Sequence, residues 1–456
     1  MGKIILLAAF TVLSFLNLKE VHARDSAALE ASLQFFSVDT YQAMQMIPPK
    51  TDHRGRPINI IETLFPGEQI FNRKYVDLRL SARSKIRLVK DSESVYSEPG
   101  SYDRAENLVD NPSSMVKNIF EMDTKFKTAT LKEAPWTDYY WPLFAGSLGN
   151  RYADSQFPDS SSWKENHDYV LKNPASKILT SGNSIDLTTL SPSEKLDAVL
   201  GMSFQALTKY NWNSGADYFN EYGKVERWMG ICHGWAPASY MLPTPKKAVT
   251  VKAADGKTDI RFFPSDIKAL ASSLWAEAAP QSRFVGGRCN EKNPAMDENG
   301  RVTDEECFNT NPATWHLAIV NQLGVSKRGF VMDATFDYEV WNQPVYSYTY
   351  SYFNPQTLKA SHEIANAMVP VGEFSVDKFK KYRSEKARKV VGISMDVTYV
   401  VEAPPYHEAI ADEAANLRTV SYEYDLELDD QGMIVGGEWY TNPHPDFLWT
   451  PPQGAI

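Results

Sequence analysis

Trp228-Met-Gly-Ile-Cys232-His-Gly-Trp-Ala-Pro-Ala-Ser239 is the stretch on which the reading of this chain turns. A nucleophilic thiol needs positive potential to lower its pKa, most simply at a helix N-terminus. It also needs an imidazole in reach and an acceptor that orients the imidazole. Gly230-Ile-Cys232, followed by the helix-compatible run from Trp235 to Tyr240, predicts a helix that begins at Cys232. Pro237 is tolerable only in a first turn, so it holds the helix start close to the cysteine.

Whether this thiol is free depends on the other cysteines and on the compartment. Residues 1–23 read as a cleavable secretory signal: Lys3 gives a positive start, Ile4 to Leu16 is apolar, and Val21-His22-Ala23 ends small-x-small. The chain is therefore expected to be secreted or periplasmic, an oxidising setting in which cysteines pair. Cys289 and Cys307 lie 18 apart around a polar, turn-rich segment and are expected to form a disulfide. Cys232 is then the free thiol by subtraction.

His316 is the expected base. Trp315, Leu317 and Ile319 alternate with His316, Ala318 and Val320, which predicts a strand with His316 on its smaller face. Gly324 to Gly329 reads as a turn into a partner strand ending at Asp333, which would accept from His316 Nδ1; Asp337 is the rival acceptor. His233 adjoins Cys232, points to another side of the helix, and makes a poor base.

Outward from this centre, Ser191-Pro-Ser-Glu194 opens a helix through a capping box, and a second helix starts at Ser265. Pro135-Trp-Thr-Asp-Tyr-Tyr-Trp-Pro142 reads as an aromatic strap wrapped on the core. Met395 to Val401 and Val420 to Leu428 alternate as strands, the second turning through Asp429-Asp-Gln-Gly432 into Met433-Ile-Val. Helices first and an antiparallel sheet later predict an α+β fold. The chain divides into the signal at 1–23, an N-terminal accessory segment or propeptide at 24–125, and a catalytic domain at 126–456.

The 456 residues are 43% hydrophobic, enough to bury a large core and to exclude a disordered chain. A formal charge of −10 excludes a nucleic-acid binder, which needs a basic stripe, and the run from Lys74 to Arg87 reads as a solvated face. No stretch after the signal is long and apolar enough to span a membrane.

The order Cys, His, Asp on helix, strand and strand resembles the transglutaminase and papain-like superfamily. Gly230-Ile-Cys232, Trp315-His316 and Val331-Met-Asp333-Ala-Thr335 are similar to the core segments of transglutaminases, which selects Asp333 over Asp337. Val340-Trp-Asn-Gln-Pro-Val345 resembles the surface peptide of the oomycete transglutaminase elicitor family. Agreement extends to Trp228–Ser239, Gly437–Tyr440 and Pro445–Trp449, and so over roughly 130–450. After Val345 the chain runs Tyr-Ser-Tyr-Thr-Tyr-Ser-Tyr-Phe353, unlike the oomycete peptide, so immune recognition is not implied.

The resemblance implies a papain/transglutaminase-like core with a helix-borne Cys and a sheet carrying His and Asp. It also implies a secreted protein-glutamine γ-glutamyltransferase. Cys232 would form a thioester on glutamine, His316 would act as base and Asp333 as orienter, and a protein lysine or another amine would take the acyl group. Trp228, Trp212 and Gln205 are the side-chain candidates for stabilising the oxyanion. The family's crosslinking is Ca²⁺-dependent, and Asp297, Asn299 and Glu306 fit acidic-loop spacing for that ion, although Ala295 stands at the first position. No organic cofactor is expected. The alternatives are a papain-like protease, a glutamine deamidase, or a non-catalytic secreted binding or elicitor protein. Tyr346, Tyr348, Tyr350 and Tyr352 form one face of a strand, for which sheet packing is the expected role over a substrate groove.

Overall fold

Ser191 caps its helix as its sequence predicts: its side chain accepts from Glu194 N while Glu194 accepts from Ser191 N, with Pro192 in the first turn. The computed structural model describes Pro99 and residues 103–455 apart from 203–204, 279–281, 290–293, 304–306, 308, 336–337, 408–414 and 441–443. The proposed signal, the segment 24–98 and Asp337 lie outside the described residues. The principal helices are α1 (Trp163–Lys172), α2 (Pro192–Leu200), α3 (Ala206–Tyr222), α4 (Cys232–Met241), α5 (Pro264–Ala278) and α6 (Pro312–Ile319).

The strands are β1 (Thr128–Thr130), β2 (Val249–Lys252), β3 (Asp259–Phe262), β4 (Arg283–Gly286), β5 (Val331–Asp333) and β6 (Asn342–Phe353). They continue with β7 (Ala360–Ser361), β8 (Met368–Pro370), β9 (Lys389–Val400), β10 (Leu417–Leu428), β11 (Ile434–Trp439) and β12 (Phe447–Thr450). Apart from the β2–β3 ribbon, they form one sheet in the order β11-β10-β9-β6-β5-β12-β4, with β1 and β7 on β6 and β8 on β9. Its pairings are antiparallel. The α+β order expected from sequence is thus found, and the β10–β11 hairpin turns where Asp429 to Gly432 predicted.

Strand β6 joins the halves of the sheet. Asn342 to Pro344 pair with β5, and from Val345 onward the strand pairs with β9, across a bulge between Val345 and Ser347. The alternating tyrosines pack as expected, with Tyr348, Tyr350 and Tyr352 buried in the main core.

Helix α4 lies against both β6 and α5. Its closeness to α5 requires Gly234, because a Cβ there would stand 2.0 Å from Ser272 O. Buried ion pairs tie the helical layer: Arg151 meets both Glu194 oxygens at 2.7 and 2.9 Å, and Lys195 meets Asp266 at 2.7 Å. Removing one partner of such a pair leaves an uncompensated buried charge, at a cost of about 3–5 kcal/mol.

Residues 103–125 contribute to this same core through Ala105, Leu108, Ile119 and Met122. Asp110 pairs with Arg328 at 2.6 Å and also with Arg283. The packing therefore does not divide at Lys125. No helix among the described residues is long and apolar enough to cross a membrane.

Candidate active site

Cys232 is the first residue of α4, as its sequence predicts, and it is buried. Pro237 sits in the second turn rather than the first, so the helix is one that accommodates an interior proline. The approach to the thiol is shaped by Gly230, whose missing Cβ would lie 2.4 Å from Tyr140 O; Ile231 N donates to that oxygen at 2.7 Å. The aromatic strap wraps α4 from the other side: Trp136 N donates to Ser239 O at 3.2 Å, and Trp235 Nε1 donates to Trp136 O at 3.0 Å.

The segment Val340–Val345 forms the facing wall. Cys232 Sγ lies 3.8 Å from Val340 O, and Asn342 Nδ2 donates to Sγ at 3.5 Å. The Trp341 ring packs on Tyr140 with centroids 5.3 Å apart. Burial pushes the thiol up to about 12, opposed by hydrogen bonds from the Asn342 side chain and backbone and reinforced by the charges of Glu402 and Asp333.

Those two carboxyls are themselves displaced. Asp333, on β5 opposite Asn342, is fully buried, and its Oδ1 accepts from Trp341 N at 2.9 Å, Thr335 Oγ1 at 2.9 Å and Thr335 N at 3.3 Å. Burial raises its pKa against these donors and the charge of Arg288, and its Oδ2 has no hydrogen-bond partner among the described residues. Glu402 follows β9; Gln343 Nε2 donates to its Oε1 at 2.7 Å, and burial raises it as well. Unlike Asp333, Glu402 keeps partial exposure. Sequence reasoning missed Asn342 and Glu402 as site residues. Asn342 carried a signal, since it lies inside the quoted hexapeptide, whereas Glu402 carried none.

His316 is corrected in two respects. It lies on α6, not on a strand, and α6 is continued by a π-helical turn over Val320–Val325 that takes in the start of the expected Gly324–Gly329 turn. All eight residues of α6 are buried, so a helix wrapped in core on every side presents no polar face to reveal its period. The local signal was Asn311-Pro312: Asn311 caps the helix by accepting from Ala313 N, and Pro312 fills its first position.

The imidazole also has other partners. His316 Nδ1 shares a 2.8 Å hydrogen bond with Tyr424 Oη, and the ring packs on Tyr350 at 4.8 Å. Tyr350 stands eight positions beyond Asn342 on β6. At ~3.3 Å per residue this puts roughly 26 Å of strand between the thiol end and the imidazole end. The expected Cys–His–Asp contact is therefore not formed. Asp333 does lie on the sheet beside the thiol segment, as a neighbour of Asn342 rather than of His316.

The oxyanion candidates separate in the same way. Trp228 stands edge-on to Tyr338 and under Arg288, whose charge acts on Asp333, and its Nε1 is buried with no partner among the described residues. Trp212, whose Nε1 is likewise buried with no partner among the described residues, packs instead against Trp163 and His167 on α1, and Gln205 stands at the N-cap position of α3 with φ 49° and no capping bond.

The expected disulfide joins Cys289 and Cys307. In the acidic loop it closes, Asp297 Oδ1 accepts from Asn299 N and Arg301 N, and Oδ2 accepts from Tyr382 Oη at 2.7 Å. Glu306 lies outside the described residues. No group of three or more His, Cys, Asp or Glu side chains that could hold a metal occurs among the described residues. No step below passes through a Ca²⁺ ion.

In overall structure the chain resembles the GP42 transglutaminase from Phytophthora sojae, with a TM-score of 0.53 and 21% identity over 78% of this chain and 92% of that one. At that identity the likeness speaks for the fold. No match is found among curated proteins. The profile of the transglutaminase elicitor family matches residues 112–454, and it takes in the thiol helix, the hexapeptide wall and both carboxyls. The chain therefore belongs to the transglutaminase elicitor family.

Proposed function

We propose that the protein is an exported cysteine acyltransferase that joins protein-bound glutamine to lysine or to other amines, with Cys232 as the nucleophile. The observation that carries this reading is the position of the elicitor-family hexapeptide: its Val340 and Asn342 meet the one free thiol among the described residues, at a helix N-terminus.

The base assigned here is Glu402 in place of His316. Its carboxyl is held at 2.7 Å by Gln343, the neighbour of Asn342 on β6; it is raised by burial, its charge acts on the thiol, and it keeps partial exposure. The Sγ proton passes to the Glu402 carboxylate, and the thiolate attacks the carboxamide carbon. The C–N bond then breaks, and Glu402 protonates the departing nitrogen, so that ammonia leaves. An amine attacks the thioester, gives its proton to Glu402 and releases the thiolate. Trp228 Nε1, buried with no partner among the described residues, is the side-chain donor assigned to the oxyanion.

The test is incorporation of a labelled amine into a glutamine-bearing protein, with and without Ca²⁺, for the wild type and Cys232→Ala. Incorporation that falls roughly 10⁴-fold or more in the variant is expected. Peptide cleavage without incorporation would replace this reading with a protease, and glutamate formation without incorporation would replace it with a deamidase. Incorporation that survives Cys232→Ala would remove the thiol from the mechanism.

A further inference from the structure

The Asn342 side chain has an orientation that its surroundings force. It is fully buried, and Trp449 Nε1 donates to its Oδ1 at 2.7 Å. An indole nitrogen only donates, so the oxygen of the amide must face Trp449 and the NH₂ must face the other way. That other way is Cys232 Sγ, 3.5 Å from Nδ2. Trp449 is held in turn: it is buried on β12, paired with Val331 of β5, the strand that also carries Asp333. Strand β5 thus supports the amide and also carries the buried carboxyl of Asp333.

A sulfur in this position has reason to need a donor. Burial and two neighbouring carboxyls all favour the neutral thiol, whereas acyl transfer requires the thiolate. A neutral amide adds stabilisation to the anion without adding a second titrating group. The donor also sits beside the atom that will carry the acyl carbon, close to where charge develops on the substrate oxygen.

We propose that Asn342 is a catalytic residue that stabilises the Cys232 thiolate through its amide, and that Trp449 is the positioning residue that aims that amide. The inference rests on Cys232 being the nucleophile of the acyl transfer described above. It assigns a second role to the hexapeptide: besides walling the thiol, the segment supplies the group that makes the thiol reactive.

The experiment reads the sulfur directly. With Cys289 and Cys307 bridged, Cys232 is the free thiol among the described residues, so iodoacetamide alkylation of the full chain reports its thiolate fraction. Asn342→Asp keeps the shape and removes the donor, and its alkylation rate near pH 8 is expected to fall by about tenfold or more. Its kcat for amine incorporation is expected to fall by about 10²-fold, with KM within roughly threefold. Trp449→Phe keeps Asn342 but releases its amide, and a smaller loss of about three- to tenfold in alkylation is expected, displaced to higher pH.

A folded Asn342→Asp protein with the wild-type alkylation profile would overturn the role of Asn342, and a wild-type profile for Trp449→Phe would overturn the aiming of the amide. Should Asn342→Asp not fold, Trp449→Phe decides alone. A wild type that incorporates no amine, yet loses alkylation in both variants, would sustain the thiolate donor while the acyltransfer reading fails.

Discussion

Strand β6 meets a buried thiol at Asn342, near its start, and a buried imidazole at Tyr350, toward its end, and both are driven to their neutral forms by burial, the thiol to about 12 and the imidazole to about 3. Their surroundings differ. His316 is boxed by Tyr350 and Tyr424, both of them buried, with Tyr424 Oη on Nδ1. Cys232 meets Asn342, feels Asp333 and Glu402, and adjoins the partly exposed Tyr140 and Trp341. Burial of a reactive group is thus not by itself a sign of chemistry. Nearby charge, directed donors and a route to solvent separate a nucleophile from a residue that fills a core.

The bluntest way to break this comparison is to remove one end of it. The imidazole end leans on the N-terminal residues: Thr314 Oγ1 donates to Asp103 O at 2.6 Å and Tyr352 Oη to Asp123 Oδ1 at 2.8 Å. A chain cut after Lys125 also loses Leu108, Ile119 and Met122 from the core. At about 2–5 kcal/mol for each such side chain, it is expected not to fold. A cooperative urea transition in that fragment, together with activity, would support the reading of 24–125 as a removable accessory segment or propeptide.

Next in size, Glu402→Gln is expected to lower kcat by about 10²–10³-fold, whereas His316→Gln leaves kcat within about threefold. The reverse ranking, in amine-incorporation kinetics on folded proteins, would return the base role to His316. Gly234→Ala drives a methyl toward Ser272 O and is expected to cost about 3 kcal/mol, read as a lowered urea midpoint, because the helix beneath cannot retreat without moving the thiol.

The mildest test is of pH. His316 is held neutral, with its pKa depressed from its ordinary value, so its contribution to stability is present above the unfolded pKa and is lost as pH falls toward about 3. His233, depressed to about 3 by burial, acts in the same direction. Each is expected to add a slope of up to about 1.4 kcal/mol per pH unit below ~6.5. Urea midpoints taken between about pH 7 and pH 4 should therefore fall less steeply in His316→Gln than in the wild type. An unchanged slope would show that the imidazole charges at no cost where it sits.

Local chemistry was enough to place many elements of this fold. Ser191 and Glu194 form the capping box that their spacing requires, and α5 begins one residue before the predicted Ser265. The period-two runs survive where the two faces differ in exposure, over Ile393–Tyr399 of β9 and Val420–Tyr424 of β10. The glycine before Cys232 and the polar span between Cys289 and Cys307 likewise marked the helix start and the bridge.

Where the environment is uniform, pattern stops being informative. Helix α6 is buried all round, so its apolar run reads equally as strand, and the imidazole it carries was assigned to the wrong element and the wrong partner. Fixing the thiol at a helix start was within the reach of the sequence by itself, because caps, glycines and prolines act over a few residues. Only the tertiary structure decided what faces that thiol. Asn342 is 110 residues away along the chain, Glu402 lies beyond β9, and both reach the site through strand pairing and register, which no short stretch of sequence encodes.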